Sequence, residues 1–261
     1  MPALKHIALT AAVFAAAHAA HGGETASPQR LFILANEDYR RAFGAGGVEE
    51  RIRLLEAAAA GYEAVAGQLR SSAAWHNLGN ARFRLGRLGE SIHAYRTALV
   101  LGGGNPDTAA NLGFVRSRCA NTPEPPSPGP VARALLFWYY GVSLRTLTTA
   151  AFLLWAAAWV SMGACVWRFS GGRAAASVAL LTLACCVGAA AMTRVNEWRN
   201  PSVAVAAVET RALSEARPSA TPLFTLGEGS EVRIRRVRAD WLEVTLPDGR
   251  FGWVPRSDML R

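Results

Sequence analysis

The hydropathy pattern of the chain is dominated by two long apolar runs, at residues 146–167 and 174–194. Their cores, Thr146 to Val166 and Ala174 to Thr193, contain no charged residue. A bilayer core about 30 Å thick is crossed by roughly 20 helical residues. The pattern therefore predicts transmembrane helix 1 at 146–167 and transmembrane helix 2 at 174–194. Because only six residues, Arg168 to Arg173, separate the runs, we expect an antiparallel hairpin whose two flanking segments lie on the same side of a membrane.

The first residues of the chain are typical of a secretory signal. Lys5 is followed by a short apolar stretch, and Ala17-His18-Ala19 is a small-residue cleavage pattern. We predict a signal peptide at residues 1–20, with an uncleaved anchor as the alternative. Together with the hairpin, this places both flanking modules in the periplasm of a two-pass inner-membrane protein. Arg168 and Arg173 favour a cytoplasmic hairpin loop, although arginines also flank the other ends of the two runs.

Residues 28–121 have the period of amphipathic helices. In the segment Ser71 to Leu101, large and small apolar residues recur on two helical stretches around a glycine-bearing turn. Leu112-Gly113 follows Leu78-Gly79 by 34 residues. This spacing resembles the tetratricopeptide repeat, with departures at Arg82, where Tyr is usual, and at Ser91, where Ala is usual. We expect an all-α tetratricopeptide-repeat solenoid of about two and a half repeats, fewer than the roughly three that usually bury a continuous core.

Repeats of this type bind peptides in a groove lined by the first helix of each pair. Here the groove residues are predicted to be His76, Asn80, Phe83, Arg84 and Asn111. Asn and Arg side chains are suited to hold a peptide backbone or a terminal carboxylate. A merely solvated face is the open alternative.

Between the repeats and the hairpin lie two short segments. Residues 122–130, TPEPPSPGP, form a Pro-rich linker, because prolines at this density favour an extended spacer. Residues 131–145 are apolar and aromatic, and Trp138, Tyr139 and Tyr140 suit the headgroup region. We interpret this segment as an interfacial helix, with an extension of the first span as the alternative.

Residues 201–261 alternate between apolar and polar positions in several short stretches, which indicates strands. Pro247-Asp248-Gly249 predicts a turn, and Trp253 is expected to pack in the core. The order LFTLGEGSEV, then DWLEVTLPDGRFGWVPRSDML, resembles bacterial SH3-type domains. The resemblance implies an all-β SH3-like barrel, a fold whose relatives bind cell-wall peptides or proteins. A purely structural module held near the membrane is the open alternative.

Composition narrows the function classes. The net charge is +9, but the arginines are interleaved with acidic residues, and no basic block with aromatic residues occurs. We therefore expect no nucleic-acid partner. We interpret the excess positive charge as suited to a position near anionic lipid headgroups. Cys119 is the only cysteine outside the apolar runs, and no Cys-x-x-Cys pair occurs. Phosphate-cradling and hydrolase motifs do not occur either. We expect no catalytic residue, no metal and no cofactor.

The order of signal, repeats, proline linker, two spans and SH3-type module resembles the BatE proteins of the Bacteroides aerotolerance (Bat) group. That resemblance implies a non-enzymatic scaffold in an envelope complex for oxidative-stress tolerance. The implied partners are Bat-type membrane proteins with von Willebrand A domains and a MoxR-type AAA+ ATPase. The alternative function is binding or sensing of the cell wall, with peptidoglycan as the ligand of the SH3-like module.

Overall fold

The computed structural model describes residues 27–120, 122–123, 139, 141–167, 171–199 and 202–261. The predicted signal peptide, most of the proline linker and most of the predicted interfacial helix lie outside these residues. The chain divides into two compact units. One contains the N-terminal helices up to Leu99, the following helix and the C-terminal sheet. The other contains Val100–Asn105 and the two long apolar helices.

Five described helices precede the two long apolar helices, and they belong to the first unit except for residues 100–102 at the end of the fourth. They are α1 (Pro28–Gly44), α2 (Val48–Leu69), α3 (Ser72–Arg84), α4 (Leu88–Gly102) and α5 (Pro106–Arg116). Side-chain oxygens of Ser27 and Ser71 accept hydrogen bonds from backbone amides in the first turns of α1 and α3, as helix N-termini require. The turn before α4 contains Gly86, whose positive φ of 77° favours glycine. The predicted helical module is confirmed, and its helices are compatible with a solenoid.

Small residues let these helices approach closely. A Cβ added at Gly79 of α3 would lie 2.7 Å from the ring of Tyr95 in α4, and one at Gly61 would lie 2.8 Å from the Cβ of Ala35. The two departures from the repeat pattern have physical explanations. Ser91 is fully buried and donates to the Gly79 carbonyl oxygen at 2.8 Å. Arg82 has ion pairs with glutamates of α2 and α4, at 2.9–3.7 Å: Glu56, Glu63 and Glu90.

The C-terminal part of the first unit is a seven-stranded antiparallel sheet. Its strands are β1 (Val203–Ala206), β2 (Thr210–Leu213), β3 (Pro222–Leu226), β4 (Glu231–Arg238), β5 (Trp241–Thr245), β6 (Phe251–Pro255) and β7 (Met259–Leu260), in the spatial order β3-β2-β6-β5-β4-β1-β7. Strands β2 and β7 were not predicted from the sequence. The predicted turn at Pro247-Asp248-Gly249 is confirmed, with Gly249 at φ 88°.

One face of the sheet forms the core of the module. Val232, Leu242, Val244 and Val254 are fully buried there, together with Leu226.

Two sequence-based expectations about the sheet are wrong. The sheet is not closed into a barrel: in the described residues β3 pairs with β2, β7 pairs with β1, and these end strands do not pair with each other. Trp253 does not pack in the core, because the alternation of β6 directs its neighbour Val254 inward instead.

The helices and the sheet of the first unit share an apolar cluster. Ile92, Tyr95, Leu112 and Val115 of α4 and α5 pack with Val205 of β1. Beside this cluster the carboxylate of Glu231, only 2% exposed, accepts from Arg116 at 2.6 and 2.9 Å and from Arg96. The side chain of Glu228 accepts from the backbone amide of Gly89 at 3.0 Å, so the sheet supplies an acceptor to the N-terminus of α4.

The second unit contains α6 (Leu144–Trp167) and α7 (Gly171–Arg199), both long and apolar enough to cross a membrane. They begin two and three residues before the predicted starts, so the second half of the predicted six-residue loop is helical. A hydrogen bond of 2.8 Å joins the hydroxyls of Ser161 and Ser177. Near the other end of the pair, the guanidinium of Arg194 donates to the carbonyl oxygens of Val100, Tyr139 and Val142. The two helices are therefore antiparallel, as predicted.

Gly89 offers a test of the helix–sheet contact. A Cβ added there would lie 2.2 Å from the Ala206 carbonyl oxygen, which belongs to the backbone and cannot rotate away. We predict that Gly89→Ala destabilises the full-length protein by about 1–3 kcal/mol, the usual cost of overpacking. Thermal unfolding in detergent measures the change.

The matched control is Gly113→Ala, since a Cβ at Gly113 of α5 meets nothing within 4 Å. Alanine is the better helix former by roughly 1 kcal/mol, so this variant should be as stable as the parent or more so. Equal unfolding temperatures of Gly89→Ala and Gly113→Ala would contradict the contact.

Candidate functional site

The structure brings four of the five predicted groove residues together around Tyr95. The Tyr95 hydroxyl donates to Oδ1 of Asn80 at 2.6 Å. The same oxygen accepts from Nδ2 of Asn111 at 3.2 Å. The His76 ring packs edge-on against the Tyr95 ring, with 5.7 Å between centroids, and its Nδ1 is 2.8 Å from the Thr108 hydroxyl. Phe83 extends this group through an edge contact with Phe114.

The same hydrogen-bond arrangement occurs a second time, one helix pair earlier. The Tyr62 hydroxyl donates to Oδ1 of Asn36 at 2.8 Å, and Nδ2 of Asn77 donates to the same oxygen at 3.2 Å. In each case an asparagine of one helix accepts from a buried tyrosine of the next helix and from an asparagine of the helix after that. We call Asn36, Asn77, Asn80 and Asn111 the asparagine row; it runs across α1, α3 and α5.

Asn36 and Asn77 were missed by the sequence analysis, although a signal exists for Asn77. Asn111 follows Asn77 by 34 residues, the same interval that separates the two Leu-Gly pairs. Tyr95 follows Tyr62 by 33 residues. A search for polar residues recurring at the repeat period would have found Asn77, but not Asn36, which has no asparagine counterpart at that interval.

Burial favours the neutral form of the titratable members of this site. Desolvation raises the pKa of Tyr95 to about 12 and raises that of Tyr62 further above its ordinary value, so both phenols remain hydrogen-bond donors. Desolvation also lowers the pKa of His76, against a smaller opposing effect of Asp107. His76 therefore presents a neutral ring rather than a cation.

Arg84, the fifth predicted residue, is exposed and contacts a different pair of aromatic residues. Its Nε donates to the Tyr39 hydroxyl at 3.0 Å, and its guanidinium lies 4.2 Å from the centroid of the Phe43 ring. Arg118 lies in the same way over Phe114, at 4.7 Å. Phe43 and Phe114 are both about half exposed. Each end of the site thus carries an arginine on an exposed aromatic ring.

This arrangement has the chemistry of a peptide-binding surface. Asn80 accepts both of its bonds at the carbonyl oxygen, and its amide nitrogen has no acceptor within the described part of the chain. An amide donor fixed in this way suits the carbonyl oxygens of an extended peptide. The exposed rings at Phe43 and Phe114 provide apolar contact area, and the two arginines suit carboxylates.

A second concave site lies on the outer face of the sheet. A cavity of about 510 Å³ opens between the β2–β3 loop, the β4–β5 turn and β6. The half-buried rings of Trp241 and Trp253 line it together with Arg238 and Asp240. Arg217, also in the lining, is held by Glu215 at 3.0 Å. Aromatic faces beside charged groups are typical of sites for ligands with both apolar and ionic parts.

Cys119 lines a smaller cavity of about 310 Å³ with Arg116 and Glu231. Desolvation, with a smaller effect of nearby glutamates, raises the pKa of its thiol, so it is not an activated nucleophile. Among the described residues, His, Cys, Asp and Glu form no cluster of three that would hold a metal ion.

No protein-family model matches the chain, and no curated protein matches it.

Proposed function

We propose that this protein is a membrane-anchored, non-enzymatic scaffold whose helical repeats bind an extended segment of a protein partner. The observation that carries the proposal is the asparagine row. The same hydrogen-bonded group, two asparagines and a buried tyrosine, occurs twice along the five helices. Side chains held in place before binding lose little conformational freedom when a ligand arrives.

The membrane anchor in this proposal is the α6–α7 hairpin. Its helices are long and apolar enough to span a bilayer. The helical module precedes the hairpin and the sheet follows it, yet both belong to one compact unit. That arrangement supports a topology in which both modules lie on the same side of the membrane. The predicted signal peptide at residues 1–20 favours the periplasmic side of a bacterial inner membrane.

The order of the modules further supports the proposal that the chain is a BatE-type protein of the Bat group. Under that proposal the C-terminal sheet is an SH3-like module that departs from the closed barrel. The partners are then other Bat-type proteins with von Willebrand A domains and a MoxR-type AAA+ ATPase, in a complex for oxidative-stress tolerance. The scaffold itself needs no catalytic residue, metal or cofactor.

A substitution of Arg84 tests partner binding better than one of Asn80. Asn80 also accepts the hydrogen bond of the Tyr95 hydroxyl, so replacing Asn80 would destabilise the repeats. We predict that Arg84→Ala combined with Phe114→Ala reduces partner crosslinking at least several-fold, since it removes one arginine and one exposed ring from the site. The measurement is crosslinking of the full-length protein in native membranes, followed by quantitative mass spectrometry.

The control is a variant with Arg53→Ala and Ile52→Ala, two exposed residues of α2 that belong to neither hydrogen-bonded group. It should crosslink like the parent. If both double variants retain the parent's crosslinks, or both lose them equally while still folded, the surface formed by the asparagine row with Arg84 and Phe114 is not the binding surface.

The cavity beside Trp241 and Trp253 favours a second candidate function, the binding of peptidoglycan by the sheet. Sugar rings and short peptides pack on aromatic faces, and the arginines of the lining suit their carboxylates.

We predict that the full-length protein in detergent co-sediments with purified sacculi and that Trp241→Ala lowers the bound fraction several-fold. The control is Tyr39→Ala, which removes a half-buried aromatic side chain outside the sheet and should leave the bound fraction unchanged. Absence of co-sedimentation by the parent protein would exclude this function.

A further inference from the structure

The outer face of β4 carries an unusual concentration of positive charge. Four arginines, all exposed, occur within six residues of this one strand: Arg233, Arg235, Arg236 and Arg238. Arg236 lies 3.1 Å from the carboxylate of Glu243. The other three have no carboxylate partner within the described residues. We call Arg233, Arg235 and Arg238 the arginine strand.

Exposed apolar groups accompany these charges. The Arg235 guanidinium lies 5.3 Å from the centroid of the Phe251 ring. Phe251 is 53% exposed and Val237 is 49% exposed. A surface that combines cationic heads with protruding apolar side chains matches the boundary between anionic headgroups and acyl chains.

The strand register places this surface where the chain enters the sheet from α7. Val203, the first residue of β1, pairs with Arg233, and the amide of Ile234 donates to the Ser202 carbonyl oxygen at 2.8 Å. Since the two strands are antiparallel, β4 continues beyond the start of β1, towards the incoming chain. The last residues of β4, Arg235 to Arg238, therefore extend past Val203, the first residue of β1, on the N-terminal side of β1.

The connection to the apolar helix is short. Helix α7 ends at Arg199 and β1 begins at Val203. Four steps of extended chain span at most about 14 Å. Attraction between exposed charges is largely screened beyond the Debye length of about 10 Å at ordinary ionic strength, so arginines at this end of β4 attract headgroups only when they lie directly at them.

We propose that the arginine strand docks on anionic phospholipid headgroups and holds the sheet against the membrane surface. The proposal rests on the membrane anchoring proposed above. It adds a second contact of defined chemistry, in which guanidinium groups bind phosphate oxygens and Phe251 and Val237 provide apolar contact.

Hydrogen exchange of the full-length protein in lipid nanodiscs tests this proposal. One set of discs contains only phosphatidylcholine, and the other contains one part in three of phosphatidylglycerol. We expect the amides of the β4–β5 turn, at Ala239 and Asp240, to exchange several-fold more slowly in the anionic discs. High salt should abolish the difference, because the attraction is electrostatic.

Three variants make the result specific. Replacing all three residues of the arginine strand by Gln should abolish the lipid-dependent protection, whereas replacing them by Lys should retain most of it. The matched control should leave the protection intact. It replaces three other exposed arginines of the same module by the changes Arg211→Gln, Arg256→Gln and Arg261→Gln. All of these changes are at exposed positions, so the fold is expected to persist, and unfolding temperatures verify this.

The proposal is overturned if anionic lipid gives no protection, or if protection survives in the Gln variant of the arginine strand. It is also overturned if soluble peptidoglycan fragments protect the turn in neutral discs and anionic lipid does not. Incorporation into the discs, measured by size-exclusion chromatography, reports separately on the anchoring by α6 and α7. Failure to incorporate would contradict the proposed function, and failure of protection alone contradicts only the docking.

Discussion

The buried carboxylate of Glu231 is the interaction on which the first unit depends. It lies between Arg96 of α4 and Arg116 of α5, at the edge of the apolar cluster that joins the helices to β1. A carboxylate that is only 2% exposed is costly unless it is paired and hydrogen-bonded. The two arginines satisfy it, and in doing so they fix the sheet against two helices at once. The partners are 135 and 115 residues apart in the chain, and the apolar hairpin lies between them.

This contact also bears on the shortness of the proposed repeat array. Two helix pairs and a single following helix leave an apolar end, and repeat arrays normally cover such ends with a capping element. Here Val205 of β1 packs on Ile92, Leu112 and Val115, so the sheet covers part of α4 and α5. The proposed peptide-binding surface and the cavity beside Trp241 consequently belong to one compact unit. The proposed scaffold therefore presents two candidate binding surfaces from one proposed anchor, which favours simultaneous engagement of linked ligands.

The helices could be predicted from sequence because their apolar period is long and regular, and the strands because their alternation is clear. What escaped prediction depended on distant contacts. Strand β7 has two residues and exists only through its pairing with β1. The open sheet could not be distinguished from a barrel, because closure depends on whether the two end strands pair with each other. Asn80 and Asn111 were found from their position in the repeat, but Asn36 and the tyrosine hydroxyls required the packed helices. Nothing in the sequence near Glu231 indicates its arginine partners.

A double-mutant cycle between Arg116 and Glu231 tests this account most directly. The single variants Arg116→Gln and Glu231→Gln and their combination are unfolded as full-length proteins in the same detergent, and the free energies of unfolding are compared. Residues in one buried ion-pair network show coupling of about 0.5–3 kcal/mol. We predict a coupling of at least about 1 kcal/mol in that range, with helices and sheet unfolding in a single transition. Additive effects within about 0.5 kcal/mol, or separate transitions for the two parts, would contradict it.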